Sequence, residues 1–234
     1  MSTESRVVMI TGAAGNLGRA VAQAFADVGD RLVLVDLRAD ALAGAFGTDT
    51  PAQAMVATNL LDPAQADRAV QTALDRFGRL DVLCNLAGGF RMGEAVHETS
   101  DATWNFLFDL NARSLLHAVQ AAVPRMLQRG GGKVINVGAF SAQKGAAQMG
   151  AYTASKAVVI RLTEAMAAEL RERGINVNCV LPTVIDTPEN RRAMPGADPA
   201  KWVTPRDLAS VIRFLASDEA RAIHGAAIPV TGLS

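Results

Sequence analysis

The sequence has few of the residues that usually carry metal or thiol chemistry. Its 234 residues include two cysteines, three histidines and one tyrosine. His97, His117 and His224 lie far apart without metal-ligand spacing, so we expect no metal site. Cys84 and Cys179 each lie inside an apolar run, so we expect two buried free thiols in a protein of the reducing cytoplasm.

The chain also lacks an excess of charge of either sign. Lys+Arg and Asp+Glu both total 23 and no basic run occurs, so neither nucleic acid nor an acidic membrane is an expected partner. No uncharged apolar stretch reaches about eighteen residues, so we expect no transmembrane helix. The first predicted strand begins within a few residues of Met1, and we therefore expect no signal peptide and a cytoplasmic location.

Short apolar runs alternate with longer helical patterns along the whole chain. Several runs are almost continuously Val, Ile and Leu, which is typical of strands buried on both faces of a parallel sheet. This order predicts one α/β domain over residues 1–234, a Rossmann fold whose doubly wound parallel sheet of about seven strands carries helices on both faces. The predicted strands are Arg6–Thr11, Arg31–Asp36, Gln53–Thr58, Asp81–Leu86, Lys133–Val137, Ile175–Leu181 and Ala227–Val230. The predicted helices are Leu17–Val28, Pro63–Phe77, Asp101–Gln128, Tyr152–Arg173 and Pro205–Ala216.

One segment fits neither pattern. Residues 183–202 are rich in proline and charge and have no clean periodicity. At about 20 residues, this segment is long for a simple connection in a compact domain, which predicts a substrate loop.

A glycine-rich turn follows the first predicted strand. Glycines at 12, 15 and 18 allow a tight turn, close approach of the backbone to a pyrophosphate, and close packing of the following helix. A turn without function would show the same glycines, but this one lies between a strand and a helix. The pattern therefore predicts a dinucleotide-binding site.

An acidic residue at the end of the second predicted strand refines the choice of nucleotide. Asp36 is placed to accept hydrogen bonds from an adenosine ribose, and its charge would repel a 2′-phosphate. No Lys or Arg lies within the glycine turn, although Arg38 is close in sequence. We therefore expect NAD(H) to be preferred, with NADP(H) as the alternative.

The chain's one tyrosine belongs to a second group of candidate functional residues. Tyr152 and Lys156 are four residues apart on one helix face. An ammonium group beside a phenol stabilises the phenolate, so we expect Lys156 to lower the pKa of Tyr152 from about 10. Such a pair is more often a surface contact, but its place after the fifth strand favours catalysis.

These features together resemble the short-chain dehydrogenase/reductase family over essentially the whole chain. The matching pieces are Thr11–Gly18, Asn85–Gly88, Asn111, the Tyr152/Lys156 pair and Asn178–Thr187. The resemblance implies hydride transfer between nicotinamide C4 and a carbonyl or imine carbon. It also implies that Tyr152 donates the proton, that Lys156 binds the nicotinamide ribose and that Asn111 holds a relay water.

The same resemblance implies a set of cofactor-binding residues. Asn59 stands where the family often has an adenine-contacting Asp, and Thr187 would meet the nicotinamide amide or the pyrophosphate. The full set is Gly12, Gly15, Asn16, Leu17, Gly18, Asp36, Asn59, Leu60, Asn85, Ala87, Gly88, Tyr152, Lys156, Pro182, Val184 and Thr187. The family also implies a homodimer or homotetramer, which fits the nearly all-round apolar pattern of residues 152–170.

The sequence departs from the family pattern at two positions. The usual carbonyl-binding serine, thirteen residues before the tyrosine, is Ala139, whose methyl group cannot donate a hydrogen bond. Losing such a donor typically costs on the order of 10²–10³ in rate. Ser141 takes over only if the loop is reshaped. The second departure is Pro182-Thr183, where Pro-Gly is more usual.

Three segments resemble the quinonoid dihydropteridine reductases of this family. They are Leu181–Pro195, Ala87–Phe90 and Lys144–Tyr152. Those enzymes also lack the serine and favour NADH, and their activated imine substrate depends less on a polarising donor. A dihydropteridine reductase-like activity on an activated C=O or C=N substrate is therefore the first hypothesis.

Two alternatives stay open. The first is a carbonyl or 3-oxoacyl reductase, or an alcohol dehydrogenase, in which Ser141 replaces the missing serine. The second is a catalytically inactive NAD(H)-binding sensor, which Ala139 favours but the retained Tyr152, Lys156 and Asn111 do not.

Overall fold

Seven parallel strands form one sheet in the computed structural model, which describes residues 5–234. Their order in space is β3-β2-β1-β4-β5-β6-β7, so the predicted α/β fold is confirmed. The strands are β1 (Val7–Thr11), β2 (Arg31–Asp36), β3 (Gln53–Ala57), β4 (Val82–Asn85), β5 (Gly132–Val137), β6 (Ile175–Pro182) and β7 (Ala227–Val230).

Eight α-helices are present in the described residues, and six of them cover the two faces of the sheet. They are α1 (Asn16–Ala26), α2 (Ala39–Phe46), α3 (Pro63–Phe77), α4 (Asp101–Phe108), α5 (Ser114–Arg129), α6 (Gly150–Leu170), α7 (Pro188–Ala193) and α8 (Pro205–Leu215). Helices α3, α5 and α6 bury their apolar side chains in the core on one face. Helices α1, α2 and α8 form the core on the other face. Strands β1 and β6, which lie between these layers, are buried along their whole length.

The strand register brings the carboxyl ends of the central strands to one edge. Thr11 is aligned with both Val35 and Asn85, and Asn85 is aligned with Asn136. The chain order reverses between β1 and β4, and a crevice opens at such a reversal in a doubly wound sheet. This edge is therefore the expected position of a ligand site.

Local signals account for the helix boundaries that the sequence predicts well. Asp62 accepts hydrogen bonds from the backbone N–H groups of Ala64 and Gln65, and Pro63 is the first residue of α3. Gly78 ends the same helix with a φ of 77°, a left-handed conformation that glycine adopts without strain. The predicted bounds of this helix, Pro63–Phe77, agree with the structure.

Three helical features differ from the prediction. The predicted helix Asp101–Gln128 is divided by a π-helical turn at Asp109–Arg113. Helix α2 has eight residues, one of them glycine, and is too short to show a clear period. The segment 183–202 contains α7 and a 3₁₀ turn at Pro199–Lys201 rather than plain loop.

Both cysteines are buried and free, as predicted. None of the helices within residues 5–234 is both long enough and apolar enough to cross a membrane.

Candidate active site

The glycine turn between β1 and α1 is packed too closely for side chains. Gly12 has a φ of +65°, and a Cβ atom there would lie 3.0 Å from the backbone of Ala87. A Cβ on Gly18 would lie only 2.3 Å from the carbonyl oxygen of Gly12. The turn therefore presents bare backbone next to the amino terminus of α1, where unpaired N–H groups attract phosphate.

A cleft of about 440 Å³ opens in front of this turn. Many of the predicted cofactor residues line it, namely Gly12, Gly15, Asn16, Leu17, Gly18, Asp36, Asn59, Leu60, Ala87, Gly88 and Thr187. The lining residues that the sequence analysis missed are Leu37, Thr58, Leu61, Leu86, Leu110 and Ser114. The first four are sequence neighbours of predicted residues. Leu110 and Ser114 reach the cleft from the π turn and from the start of α5, for which the sequence gives no signal.

The carboxylate of Asp36 is fixed at one end of the cleft. Its Oδ2 accepts a hydrogen bond from the backbone N–H of Ala14 at 3.0 Å, and its Oδ1 accepts one from Leu37 at 2.8 Å. Arg38 lies on the exposed surface and is paired with Asp40. The Arg38 guanidinium is thus paired with Asp40, and the Asp36 carboxylate lines the cleft. Bare backbone at one end and a fixed carboxylate at the other fit a dinucleotide.

Asn85, Tyr152, Lys156, Pro182 and Val184 were predicted to bind the cofactor but are not among the residues that line the cleft. The Asn85 side chain is buried, and its Nδ2 donates to Asn136 Oδ1 at 2.9 Å. Asn136 donates in turn to Thr163 on α6 at 2.9 Å. The structure therefore shows the Asn85 side chain connecting β4 to the core beneath the site.

The π turn places Asn111 in the interior. Its Oδ1 accepts from the backbone N–H of Gly89 at 2.8 Å, and its Nδ2 donates to Ser155 Oγ at 3.0 Å. Ser155 donates to the carbonyl oxygen of Tyr152 at 2.8 Å. Asn111 therefore joins the loop after β4 to the first turn of α6. Single π turns often occur at functional sites.

Lys156 is buried beside this network, with 7% of its surface exposed. Its Nζ donates to the carbonyl oxygen of Val137 at the end of β5, at 2.9 Å. A Cβ on Gly88 would lie 3.0 Å from Asn111 Oδ1 and 3.1 Å from Lys156 Nζ, so a side chain at this position would crowd both groups. Burial lowers the pKa of Lys156 to about 8.

The predicted pKa shift of Tyr152 is wrong in direction. Burial raises the pKa of Tyr152 to about 12. The reason is that loss of solvation disfavours the phenolate, and the Lys156 ammonium is directed to the Val137 carbonyl oxygen. In this structure the phenol of Tyr152 is therefore a weaker acid than a free tyrosine, and donation of its proton needs a nearby positive charge that stabilises the phenolate.

Ala139 is buried at the position where the resemblance predicts a serine in the family, with 4% of its surface exposed. Its carbonyl oxygen accepts from the N–H of Ala142 and starts the 3₁₀ turn Phe140–Gln143. Ser141 lies within that turn and is partly buried.

Exposed apolar side chains lie in the loop that contacts Tyr152. The ring of Phe90 contacts the Tyr152 ring edge-to-face, with centroids 4.8 Å apart. Phe90, Met92 and Val96 are exposed by 56%, 52% and 76%. Arg91, between the first two, lies over the Phe106 ring at 4.3 Å. We call Phe90, Met92 and Val96 the apolar rim.

The two ends of the segment 183–202 meet at a narrow neck, and the segment contacts the glycine turn. Asp186 N–H donates to Val203 O at 2.8 Å, and Val203 N–H donates to Val184 O at 3.1 Å. Beyond the neck, Asn16 Nδ2 donates to Glu189 Oε2 at 2.7 Å. The segment is therefore attached to the first turn of α1 across the cleft.

Two arginines of the segment have acidic partners within it. Arg191 forms two hydrogen bonds to Asp186, and Arg192 contacts Glu189. In residues 5–234, no group of three or more His, Cys, Asp or Glu side chains is arranged to hold a metal ion.

Comparisons with known proteins agree with this geometry. Residues 12–232 match the family model described as Enoyl-(Acyl carrier protein) reductase. The chain is 34% identical to D-threitol dehydrogenase of Mycolicibacterium smegmatis, over 98% of this chain and 92% of that protein. It is 30% identical to dehydrogenase/reductase SDR family member 6 of Danio rerio, over 98% and 97% of the two chains.

A solved structure gives the same result in three dimensions. The 3-ketoacyl-(acyl-carrier-protein) reductase of Brucella melitensis, complexed with NADH, superposes with a TM-score of 0.88 at 28% identity. The alignment covers 99% of this chain and 98% of that one. With its glycine turn, its sheet order and its Tyr152/Lys156 pair, the chain belongs to the short-chain dehydrogenase/reductase family of NAD(P)-dependent oxidoreductases.

Proposed function

We propose that the protein is an NAD(H)-dependent reductase of activated C=O or C=N compounds, with a quinonoid dihydropterin as the first substrate to test. The observation that carries the proposal is the combination of a complete Tyr152, Lys156 and Asn111 arrangement with a buried methyl group at Ala139. The chain keeps its proton donor and lacks the serine that would polarise an ordinary carbonyl.

The cofactor proposal rests on Asp36. Its carboxylate lines the cleft and is held by two backbone N–H groups, so an adenosine ribose with free hydroxyls can bind to it. A 2′-phosphate at the same place would face a fixed negative charge. NADP(H) remains the alternative cofactor, with weaker binding.

The proposed chemistry assigns one task to each side chain. Reduced nicotinamide, when bound, supplies the hydride. Tyr152 Oη, which is protonated at neutral pH, donates a proton to the oxygen or nitrogen of the acceptor. Lys156, still charged below about pH 8, favours the phenolate that remains. Asn111 keeps the loop after β4 and α6 at a constant separation.

An activated acceptor suits this arrangement for an energetic reason. A conjugated imine gains a stabler ring when hydride adds, so its barrier depends less on a hydrogen bond to the acceptor atom. The apolar rim beside Tyr152 offers a surface for such a flat ring. An open-chain polyol, which the name of the M. smegmatis relative indicates for that enzyme, would find few hydrogen-bonding groups on this rim.

We further propose that residues 183–202 form a substrate loop over the site and that the protein is a cytoplasmic homodimer or homotetramer. The Asn16–Glu189 hydrogen bond supports the first proposal, because it places α7 beside the cleft. Trp104 and Leu116, exposed by 45% and 40% on α4 and α5, support the second, because a partner subunit would bury them. The buried thiols fit a reducing compartment.

The test is NADH oxidation by the purified protein with quinonoid dihydropterin, and with a panel of quinones, imines, ketones and polyols. Turnover that falls by about 10²–10⁴ in Tyr152→Phe and persists in Ser141→Ala supports the proposal. Ser141→Ala inactivation with an ordinary ketone favours the carbonyl reductase instead. Tight NADH binding without turnover of any panel member contradicts the enzymatic proposal and favours the sensor.

A further inference from the structure

Gln148 is the one non-glycine residue with a positive φ in the part of the chain that the structure describes, and its φ is 59°. A glutamine rarely adopts this left-handed conformation, because its Cβ atom crowds the backbone. Such conformations persist where the surrounding structure enforces them, and they cluster at active sites.

Contacts between two loops hold Gln148 in this conformation. Its carbonyl oxygen accepts from the N–H of Gly93, in the loop after β4, at 2.9 Å. The next residue, Met149, donates its N–H to Ala146 at 3.2 Å and closes a turn just before α6. The strained residue therefore joins the loop that carries the apolar rim to the helix that carries Tyr152.

Gln148 lies near Tyr152 at the start of α6. It is four residues before Tyr152 in the sequence, and both residues line the same small crevice, together with Met92 and Arg91. The side chain is exposed, and within residues 5–234 its amide makes no hydrogen bond. A primary amide has two N–H donors, and both are thus available to a ligand.

This free donor lies near a site that lacks one. Ala139 contributes only a methyl group, and Tyr152 is the proton donor of the proposed reaction. We propose that the side-chain amide of Gln148 donates a hydrogen bond to the acceptor atom that Tyr152 protonates, and so takes over the task of the missing serine. This inference rests on the proposed function and adds a catalytic residue to it.

Three variants test the inference with the acceptor that the wild type reduces. Gln148→Glu keeps the shape of the side chain and removes its N–H donors. We expect kcat/KM to fall about tenfold, less than the 10²–10³ typical of an acceptor that requires such a donor. Gln148→Gly removes the amide and relieves the positive φ, so a similar loss should accompany a melting temperature higher by about 2–4 °C. Gln143→Glu makes the same chemical change five residues away and should leave kcat/KM unchanged.

Binding of NADH, measured by fluorescence titration, should be equal in the wild type and all three variants. Wild-type kcat/KM in Gln148→Gly would overturn the inference while the proposed function stands. A loss in Ser141→Ala, and not in Gln148→Glu, would overturn the inference and would also favour the carbonyl reductase over the proposed function. If the wild type binds NADH but reduces no acceptor, the proposed function fails and this inference fails with it.

Discussion

The two sides of the active site differ in the groups that form their surface. The cofactor cleft consists of bare backbone at Gly12 and Gly18, buried strand ends and one fixed carboxylate, Asp36. The proposed acceptor side consists of exposed side chains, among them Phe90 and Val96. A change in the first side should therefore affect every substrate equally, whereas a change in the second should affect one class of substrate more than another.

The largest expected effect lies in the glycine turn. Gly18→Ala places a Cβ atom 2.3 Å from the carbonyl oxygen of Gly12, so the turn must open. We expect NADH affinity to fall at least about 100-fold, the equivalent of roughly 2.8 kcal/mol, together with a lower melting temperature. Isothermal titration and thermal denaturation measure the two quantities.

A matched control is available on α2. A Cβ atom added to Gly44 would meet no neighbouring atom within 4 Å, so Gly44→Ala should leave NADH affinity unchanged. It should raise the free energy of unfolding by about 0.5–1 kcal/mol, because alanine is the better helix former. Normal NADH binding by Gly18→Ala would show that the close packing of the turn is not required.

The second effect concerns Asp36 and the choice of nucleotide. Asp36→Asn removes the negative charge and keeps a side chain of the same size. We expect the ratio of kcat/KM with NADPH to that with NADH to rise about tenfold or more, since each factor of ten corresponds to about 1.4 kcal/mol. Because Asp36 is on the cofactor side, the shift should be the same for every acceptor. If the change in this ratio depended on the acceptor, the cofactor side and the acceptor side would not act independently.

The third effect is a pH dependence that links the two sides. The pKa of Lys156 is lowered to about 8, so its ammonium is charged below that pH and loses its proton as the pH rises. We expect the rate of reduction to be constant at lower pH and to fall about tenfold for each unit above pH 8. Lys156→Arg keeps its charge at high pH, so its lower activity should lack this decline. A wild-type rate that stays constant to about pH 10 would contradict the assigned role of Lys156.

The smallest effect concerns the apolar rim. Phe90→Ala removes the edge-to-face contact with Tyr152, and aromatic pairs of this kind contribute about 0.5–1.5 kcal/mol. We expect kcat/KM for a ring acceptor to fall about 2–10-fold, with little change for an open-chain ketone. Phe214→Ala, at a residue exposed by 45% on α8, is the control. Equal losses of kcat/KM for ring and open-chain acceptors would show that the apolar rim does not discriminate between these two classes.

The same division explains how far the sequence could predict the structure. The seven strands and the glycine turn follow from local patterns, namely continuous apolar runs and three glycines at fixed spacing. The π turn around Asn111 has no such pattern, because it results from hydrogen bonds to Gly89 and Ser155 that are distant in sequence. Neither the burial of Lys156 nor the positive φ of Gln148 is visible in a local pattern either. The pKa of Tyr152 was predicted in the wrong direction because spacing reveals a neighbour but not the loss of solvent.

The central claim is that the cofactor cleft and Tyr152 form a single hydride-transfer site. The most direct test uses NADH deuterated at both C4 positions, an imine or ketone of the panel that accepts hydride at carbon, where deuterium does not exchange with water, and mass spectrometry of the product. We predict that one deuterium appears in each product molecule, and that Tyr152→Phe lowers the rate of its appearance about 10²–10⁴-fold while NADH affinity stays unchanged. Product without deuterium, or equal rates in wild type and Tyr152→Phe, would contradict the claim.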